Sequence, residues 1–210
     1  TMKMTLINAH KDKVNRSMKF KAKEVTGDGD KSLITFVSPL DVKDTKMLTW
    51  AHKELNDDQW LFLPGLNRVK RINSSNKSGS FMGSEFSYED IASDEAEKYS
   101  YLFLDDQVVS SRNVWIIQRI PKDEKSGYSK QITYVDKQYR QPLKVEYYDR
   151  KEELLKTATF SNYKLYSSWW LYNKIYMINH QTKKESILIW EDRIVGAKIK
   201  NFEFTKRALQ

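Results

Sequence analysis

The sequence predicts a mainly β fold, a large antiparallel sheet, on three observations: residues alternate with period two, turn signals recur at short intervals, and helical periodicity is scarce. Met18, Phe20 and Ala22 alternate with Lys19, Lys21 and Lys23. Successive strand side chains point to opposite faces, so this stretch has one apolar face and one row of ammonium groups. Leu143, Val145 and Tyr147 alternate in the same way with Lys144, Glu146 and Tyr148.

Turns separate these runs. Gly27-Asp28-Gly29-Asp30 reads as a tight turn in which glycine supplies positive φ. Asn56-Asp57-Asp58 and Asp149-Arg150-Lys151 read as hairpin connections, and residues 136–141 as a longer one. About a dozen strands at this spacing suggest a meander, sandwich or barrel.

A second class of strand is apolar on both faces: Met47-Leu48-Thr49-Trp50, Trp60-Leu61-Phe62-Leu63, Val114-Trp115-Ile116-Ile117 and Ile187-Leu188-Ile189-Trp190. Such strands need cover on both sides, from a helix, a loop, a second sheet or a ligand. The best helix candidate spans residues 84–99, where Ser84, Ser87 and Ser93 offer N-cap oxygens and acidic residues crowd the early turns. Residues 204–209 are expected to form a last short turn.

The 210 residues favour one domain. A 40% hydrophobic fraction supplies a core, and 30% charged residues favour solubility. The 36 Lys and Arg against 28 Asp and Glu leave a net charge of +8, which favours anionic surfaces. The absence of cysteine excludes disulfides, Cys-ligated zinc and thiol catalysis. No run approaches the roughly 18 apolar residues of a membrane span. The chain opens in Thr1-Met2-Lys3-Met4-Thr5-Leu6 with no secretory leader, as a processed chain would.

No catalytic constellation emerges. His10, His52 and His180 are scattered and lack the helical spacing of metal ligands. There is no nucleophile elbow, phosphate-binding loop or dinucleotide fingerprint. Asp28 and Asp30 resemble the start of a calcium loop but lack the remaining acidic ligands. Glu89/Asp90 and Glu191/Asp192 are adjacent, and strand neighbours make poor acid/base partners. Arg68-Val69-Lys70-Arg71 and the lysine row of residues 19–23 could contact phosphates, yet no nucleic-acid motif accompanies them. Such lysines also serve to protect an edge strand. Nucleic acid, metals and cofactors are therefore not expected.

The stretch from Asp57 to Asp90 is the most distinctive. Asp58-Gln59-Trp60-Leu61-Phe62-Leu63-Pro64 is followed by Arg68, Arg71-Ile72 and then Phe81-Met82-Gly83-Ser84-Glu85-Phe86-Ser87-Tyr88-Glu89-Asp90. This resembles the LolA-like outer-membrane lipoprotein-sorting family, whose pattern is D-x-W-x-Y-L-P, R-x-x-R-I and F-M-G-S-D-F-S-Y-E-D. Residues 27–42, Tyr147-Tyr148-Asp149 with Leu155-Lys156, and the closing Phe202, Phe204 and Thr205 agree in order. Glu85 stands where Asp is usual and Phe62 where Tyr is usual. The family's signal peptide and N-terminal helical segment are not in this chain.

The resemblance implies an unclosed antiparallel β-barrel, LolA/LolB-like, with a few short helices or loops plugging its concave face. It also implies a periplasmic carrier of lipoprotein acyl chains or other lipids, with transient membrane contact and no catalytic residue. An RND/MMPL-type exporter is the expected membrane partner, and a non-carrying accessory docked on such an exporter is the alternative. Trp50, Trp60, Phe62, Phe81, Met82, Phe86 and Tyr88 are expected along the cavity or its lid. Arg68 and Arg71 are candidates to meet a headgroup, or to fix the loop by pairing with Glu85, Glu89 or Asp90.

Overall fold

The computed structural model describes residues 1–209. Thirteen antiparallel strands form one sheet. In chain order they begin with β1 (Met2–Ile7), β2 (Lys13–Lys23), β3 (Lys31–Ser38), β4 (Lys46–Trp50), β5 (Asp58–Leu63) and β6 (Arg68–Ile72). They continue with β7 (Tyr99–Val109), β8 (Arg112–Pro121), β9 (Lys130–Asp136), β10 (Gln141–Tyr148) and β11 (Leu154–Ser161). A separate hairpin, β12 (Lys164–Tyr166) and β13 (Trp169–Leu171), precedes β14 (Lys174–Asn179) and β15 (Glu185–Trp190).

The order across the sheet is β6-β5-β4-β3-β2-β1-β15-β14-β11-β10-β9-β8-β7, so β1 joins two meanders by pairing with β15. The end strands β6 and β7 do not pair with each other, which leaves the sheet unclosed. It is nevertheless strongly rolled. Ile34 on β3 and Ile117 on β8 line one cavity although eight strand spacings separate them. In a flat sheet that is roughly 38 Å.

Alternation assigns each strand two faces. Met4, Met18, Ile34, Phe36, Met47, Leu61, Val145, Ala158 and Met177 belong to one apolar cluster on the inner face. Leu33, Leu48, Trp60 and Phe62 point the other way and form a second cluster with Phe204 and Leu209. The two-sided strands β4 and β5 thus receive the cover their sequence requires.

Inner cover comes from residues 73–98, which connect the two free edges. Phe81 N–H donates to the Phe86 carbonyl (2.7 Å), and Tyr88 N–H to that of Gly79 (3.0 Å). At the tip, Met82 and Gly83 have φ of 52° and 77°, which explains the glycine. A single helical turn follows, α1 (Tyr88–Ile91), with a complete Ser87/Asp90 capping box. The helix expected over residues 84–99 is only this turn, because Phe81 and Phe86 hold the preceding backbone extended against the sheet.

Outer cover comes from two 3-10 turns, Asn201–Phe204 and Lys206–Leu209, matching the expected C-terminal turn. Lys21 pairs with Glu203 and Lys23 donates to Asn201 Oδ1. The lysine row therefore lies on an interior strand that binds this segment, rather than protecting an edge.

Candidate functional site

The inner face encloses a cavity of about 530 Å³. Its wall comes from alternate residues of neighbouring strands: Val145 and Tyr147 on β10, Ala158 and Phe160 on β11, Ile175 and Met177 on β14, Leu188 and Trp190 on β15. Residues 86 and 89–94 of the crossing segment close one side.

That segment is pinned by a buried polar cluster. Lys156 on β11 shares the inward register of Ala158 and Phe160, and its ammonium pairs with Asp90 at 2.5 Å and donates to the Glu85 carbonyl at 3.0 Å. Tyr128 Oη donates to the other Asp90 oxygen (2.8 Å), and Ser87 N–H donates to the first (2.7 Å). Ser87 Oγ accepts from Asp90 N–H, so this hydroxyl serves as a helix cap. Glu89 accepts from Gly127 N–H and Ser126 Oγ, both at 2.9 Å. Burial, then the neighbouring Asp90, raises the pKa of Glu89 above the ordinary value. Burial likewise pushes Tyr128 and Tyr147 well up, so both phenols stay neutral hydroxyls.

Arg119 on β8 also faces the cavity. It donates through Nη1 to Asp94 and through Nη2 to Gln131, with the Tyr99 ring 4.6 Å from the guanidinium. Burial works against its charge, but Asp94 and Tyr99 raise its pKa further above the ordinary value. Arg16 on β2 donates to the Met82 carbonyl, which ties down the tip of the crossing loop.

The seven residues expected at the cavity or its lid divide into three groups. Phe86 lines the cavity. Phe81, Met82 and Tyr88 belong to the crossing segment, but pack against the core below it. Phe81 is fully buried beside Phe36 and Tyr88, and the Tyr88 carbonyl accepts from Gln59 Nε2 at 2.9 Å. Trp50, Trp60 and Phe62 lie on the outer face. There the Trp50 indole donates to the Phe204 carbonyl (2.8 Å), Trp50 packs edge-on against Trp60 at 4.9 Å, and Lys206 sits 4.4 Å from the Trp60 ring. The period of β5 puts Trp60 with Phe62 and against Leu61, so the Trp face goes wherever Leu61 does not.

Arg68 and Arg71 stand on the edge strand β6, and Arg71 pairs with Asp58 on β5. Neither meets Glu85, Glu89 or Asp90. Those positions are taken by Asn179 and Ser186 for Glu85, by Ser126 and Gly127 for Glu89, and by Lys156 and Tyr128 for Asp90. Sequence reasoning missed Lys156, Arg119 and Tyr128. Lys156 and Arg119 could have been found as charged residues sharing the inward register of Phe160 and Ile117. Glu89 and Asp90, read as strand neighbours, instead begin a helical turn.

Among the described residues, no His, Cys, Asp and Glu group is arranged to hold a metal ion. His52 binds Asp28 through Nδ1 at 2.7 Å, and this bond, with backbone donors, holds the Asp28 carboxyl down to about 2.

A family model described only as an uncharacterized protein matches residues 28–210. No curated protein matches the chain. A domain from Vibrio parahaemolyticus, described provisionally as an outer membrane lipoprotein-sorting protein domain, is 48% identical over 100% of this chain and 89% of its own, with a TM-score of 0.97. A DUF1329 family protein from Desulfovibrio piger is 30% identical over the same shares, with a TM-score of 0.93. A LolA superfamily protein from Nitrosomonas europaea shares the fold, with a TM-score of 0.78 at 17% identity over 99% of this chain and 89% of its own. The chain shares the fold of the LolA superfamily protein, and it belongs to the same family as the Vibrio outer membrane lipoprotein-sorting protein domain and the DUF1329 protein.

Proposed function

We propose that this protein is a periplasmic carrier that shelters a lipoprotein acyl chain, or another lipid, in its inner-face cavity for transfer toward the outer membrane. The observation that carries this reading is the cavity of about 530 Å³ walled by Phe160, Ile175, Met177 and Leu188. Each methylene moved from water to such a wall contributes about 0.8 kcal/mol. A carrier must also release its load, and the crossing segment suits this. It is a loop with one helical turn rather than a full layer of helices, held by Phe81 and Phe86 in the core and by the Lys156–Asp90 pair.

The proposed site is the wall of β9–β11, β14 and β15 together with Phe86. The outer-face aromatics Trp50, Trp60 and Phe62 support the C-terminal cover. Family membership favours an envelope location, and the net charge of +8 favours transient contact with anionic membrane surfaces.

A second reading, a non-carrying accessory docked on an RND/MMPL-type exporter, is favoured by β7. This strand is an unpaired edge whose Leu102 and Phe103 are more than half exposed. Edges of that kind invite pairing with another chain.

Organic-solvent extraction of the purified protein with mass spectrometry, combined with titration of a fluorescent fatty-acid probe, separates the two readings. Co-purified lipid, or saturable and displaceable probe binding, is expected of the carrier. Finding neither would remove the carrier reading and leave the accessory.

A further inference from the structure

The cavity wall carries polar groups that a bare hydrocarbon does not need. The Arg119 side chain is only 14% exposed. Two of its nitrogens reach Asp94 and Gln131, while Nε is buried with no partner among the described residues. The Ile117–Thr133 pair lies two residues along from the Arg119–Gln131 pair on the same face, and Thr133 Oγ1 is also unpartnered. So is the indole N–H of Trp190, on β15 in the same cavity. Buried polar atoms without partners are uncommon, and three of them on residues that line one cavity mark a wall that is not built for hydrocarbon alone.

The cavity's carboxylates differ in how firmly they are held. Asp90 is fixed by Lys156 and Tyr128, and Glu89 by Ser126 and Gly127. Asp94, on the loop after α1, has only Arg119, and its side chain is 58% exposed. Asp94 keeps its own access to water, so it can turn outward once another carboxylate takes its place on the buried guanidinium. A free carboxylate could then engage the Arg119 fork through two parallel N–H donors. The volume, about 530 Å³, falls within the roughly 300–1,000 Å³ of sites for one small ligand.

We propose that Arg119 anchors the carboxylate of a single-chain amphiphile of the fatty-acid type, with Asp94 as the placeholder that the ligand's headgroup displaces. This rests on the carrier reading above. It adds a headgroup preference to a cavity that would otherwise select only for hydrocarbon.

Calorimetric titration with lauric acid and lauryl alcohol, above neutral pH where the acid is ionised, tests the anchor at constant chain length. The acid is expected to bind about tenfold more tightly, the size associated with a hydrogen bond to a charged group. Arg119→Gln is expected to bring the acid down to the affinity of the alcohol. Asp94→Asn removes the competing carboxylate at an exposed position. It is expected to tighten the acid several-fold relative to the alcohol. Equal affinities in the wild type, or an Asp94→Asn variant with no selective gain for the acid, would overturn the anchor and leave the carrier reading intact. Binding of neither ligand would overturn both. Should Arg119→Gln fail to fold, the wild-type preference and Asp94→Asn decide the matter.

Discussion

The Lys156 ammonium and the Asp90 carboxylate form an ion pair whose side chains are only 4% and 5% exposed. It joins an inward position of β11 to the first turn of α1, and so fixes the crossing segment over the cavity. Burying two charges is expensive, and the pair is tolerable only because Tyr128, Ser87 and the Glu85 carbonyl supply further hydrogen bonds. Removing one partner strands the other. Lys156→Met is expected to lower stability by about 3–5 kcal/mol. Lys156→Met/Asp90→Asn is expected to lose much less, because no unpaired charge remains. Urea unfolding at neutral pH gives both values, and equal losses would contradict a stranded carboxylate.

The outer cluster makes a separable case. Phe204 is buried against Leu33, Leu48, Trp60 and Phe62. Phe204→Ala is expected to cost about 3–5 kcal/mol, as for other buried aromatics cut to alanine. It should also shift tryptophan emission to the red as Trp50 and Trp60 gain water. Affinity for a fatty-acid probe, measured well below the melting temperature, should stay at the wild-type value because the cavity is on the other face.

Two glycines give opposite expectations. A Cβ on Gly29 would lie 2.6–2.8 Å from the backbone of Ala51 and His52, whereas one on Gly65 would meet nothing within 4 Å. Gly29→Ala is expected to destabilise by about 1–3 kcal/mol, since backbone must move. Gly65→Ala should be neutral or stabilise by up to about 1 kcal/mol through the unfolded chain. Thermal melting of the two variants side by side checks this.

Acid should weaken the fold through carboxylates held below their ordinary range. Burial opposes the charge of Asp136, but Arg112 at 2.7 Å and the N–H groups of Gln138 and Tyr139 outweigh it and lower its pKa. The folded state then binds this proton less readily than the unfolded chain. Its stabilisation is present in full above the ordinary carboxylate value and is lost as pH falls through the depressed one. Asp136→Asn is expected to be less stable at neutral pH and to lose less between about pH 4 and pH 2 than the wild type. Urea midpoints across that range show the difference as a flatter acid limb.

The strands were legible because alternation survives wherever one face meets water, as in Val145 and Tyr147 against Lys144 and Glu146. Those same two inward residues turned out to line the cavity. The two-sided apolar strands told less. In Trp60-Leu61-Phe62-Leu63 both faces are apolar, so periodicity pairs Trp60 with Phe62 but cannot say which face looks inward. The structure decides through distant chain, with Phe204 and Leu209 closing one side and residues 81–88 the other. The short α1 was over-read as a longer helix because capping signals mark where a helix starts and not how far packing lets it run. Arg119 and Lys156 were missed because a charged residue in an inward register has meaning only once its partners, Asp94 and Asp90, are placed opposite it.

Photo-crosslinking with a diazirine-bearing fatty acid, followed by peptide mapping, tests most directly where the ligand lies. Labels are expected on inner-face residues of β9–β11, β14 and β15 and on residues 86–94, and excess unlabelled fatty acid should suppress them. Labels concentrated instead around Trp50, Trp60, Phe62 and Phe204, or spread over the surface without competition, would contradict an inner-face lipid site.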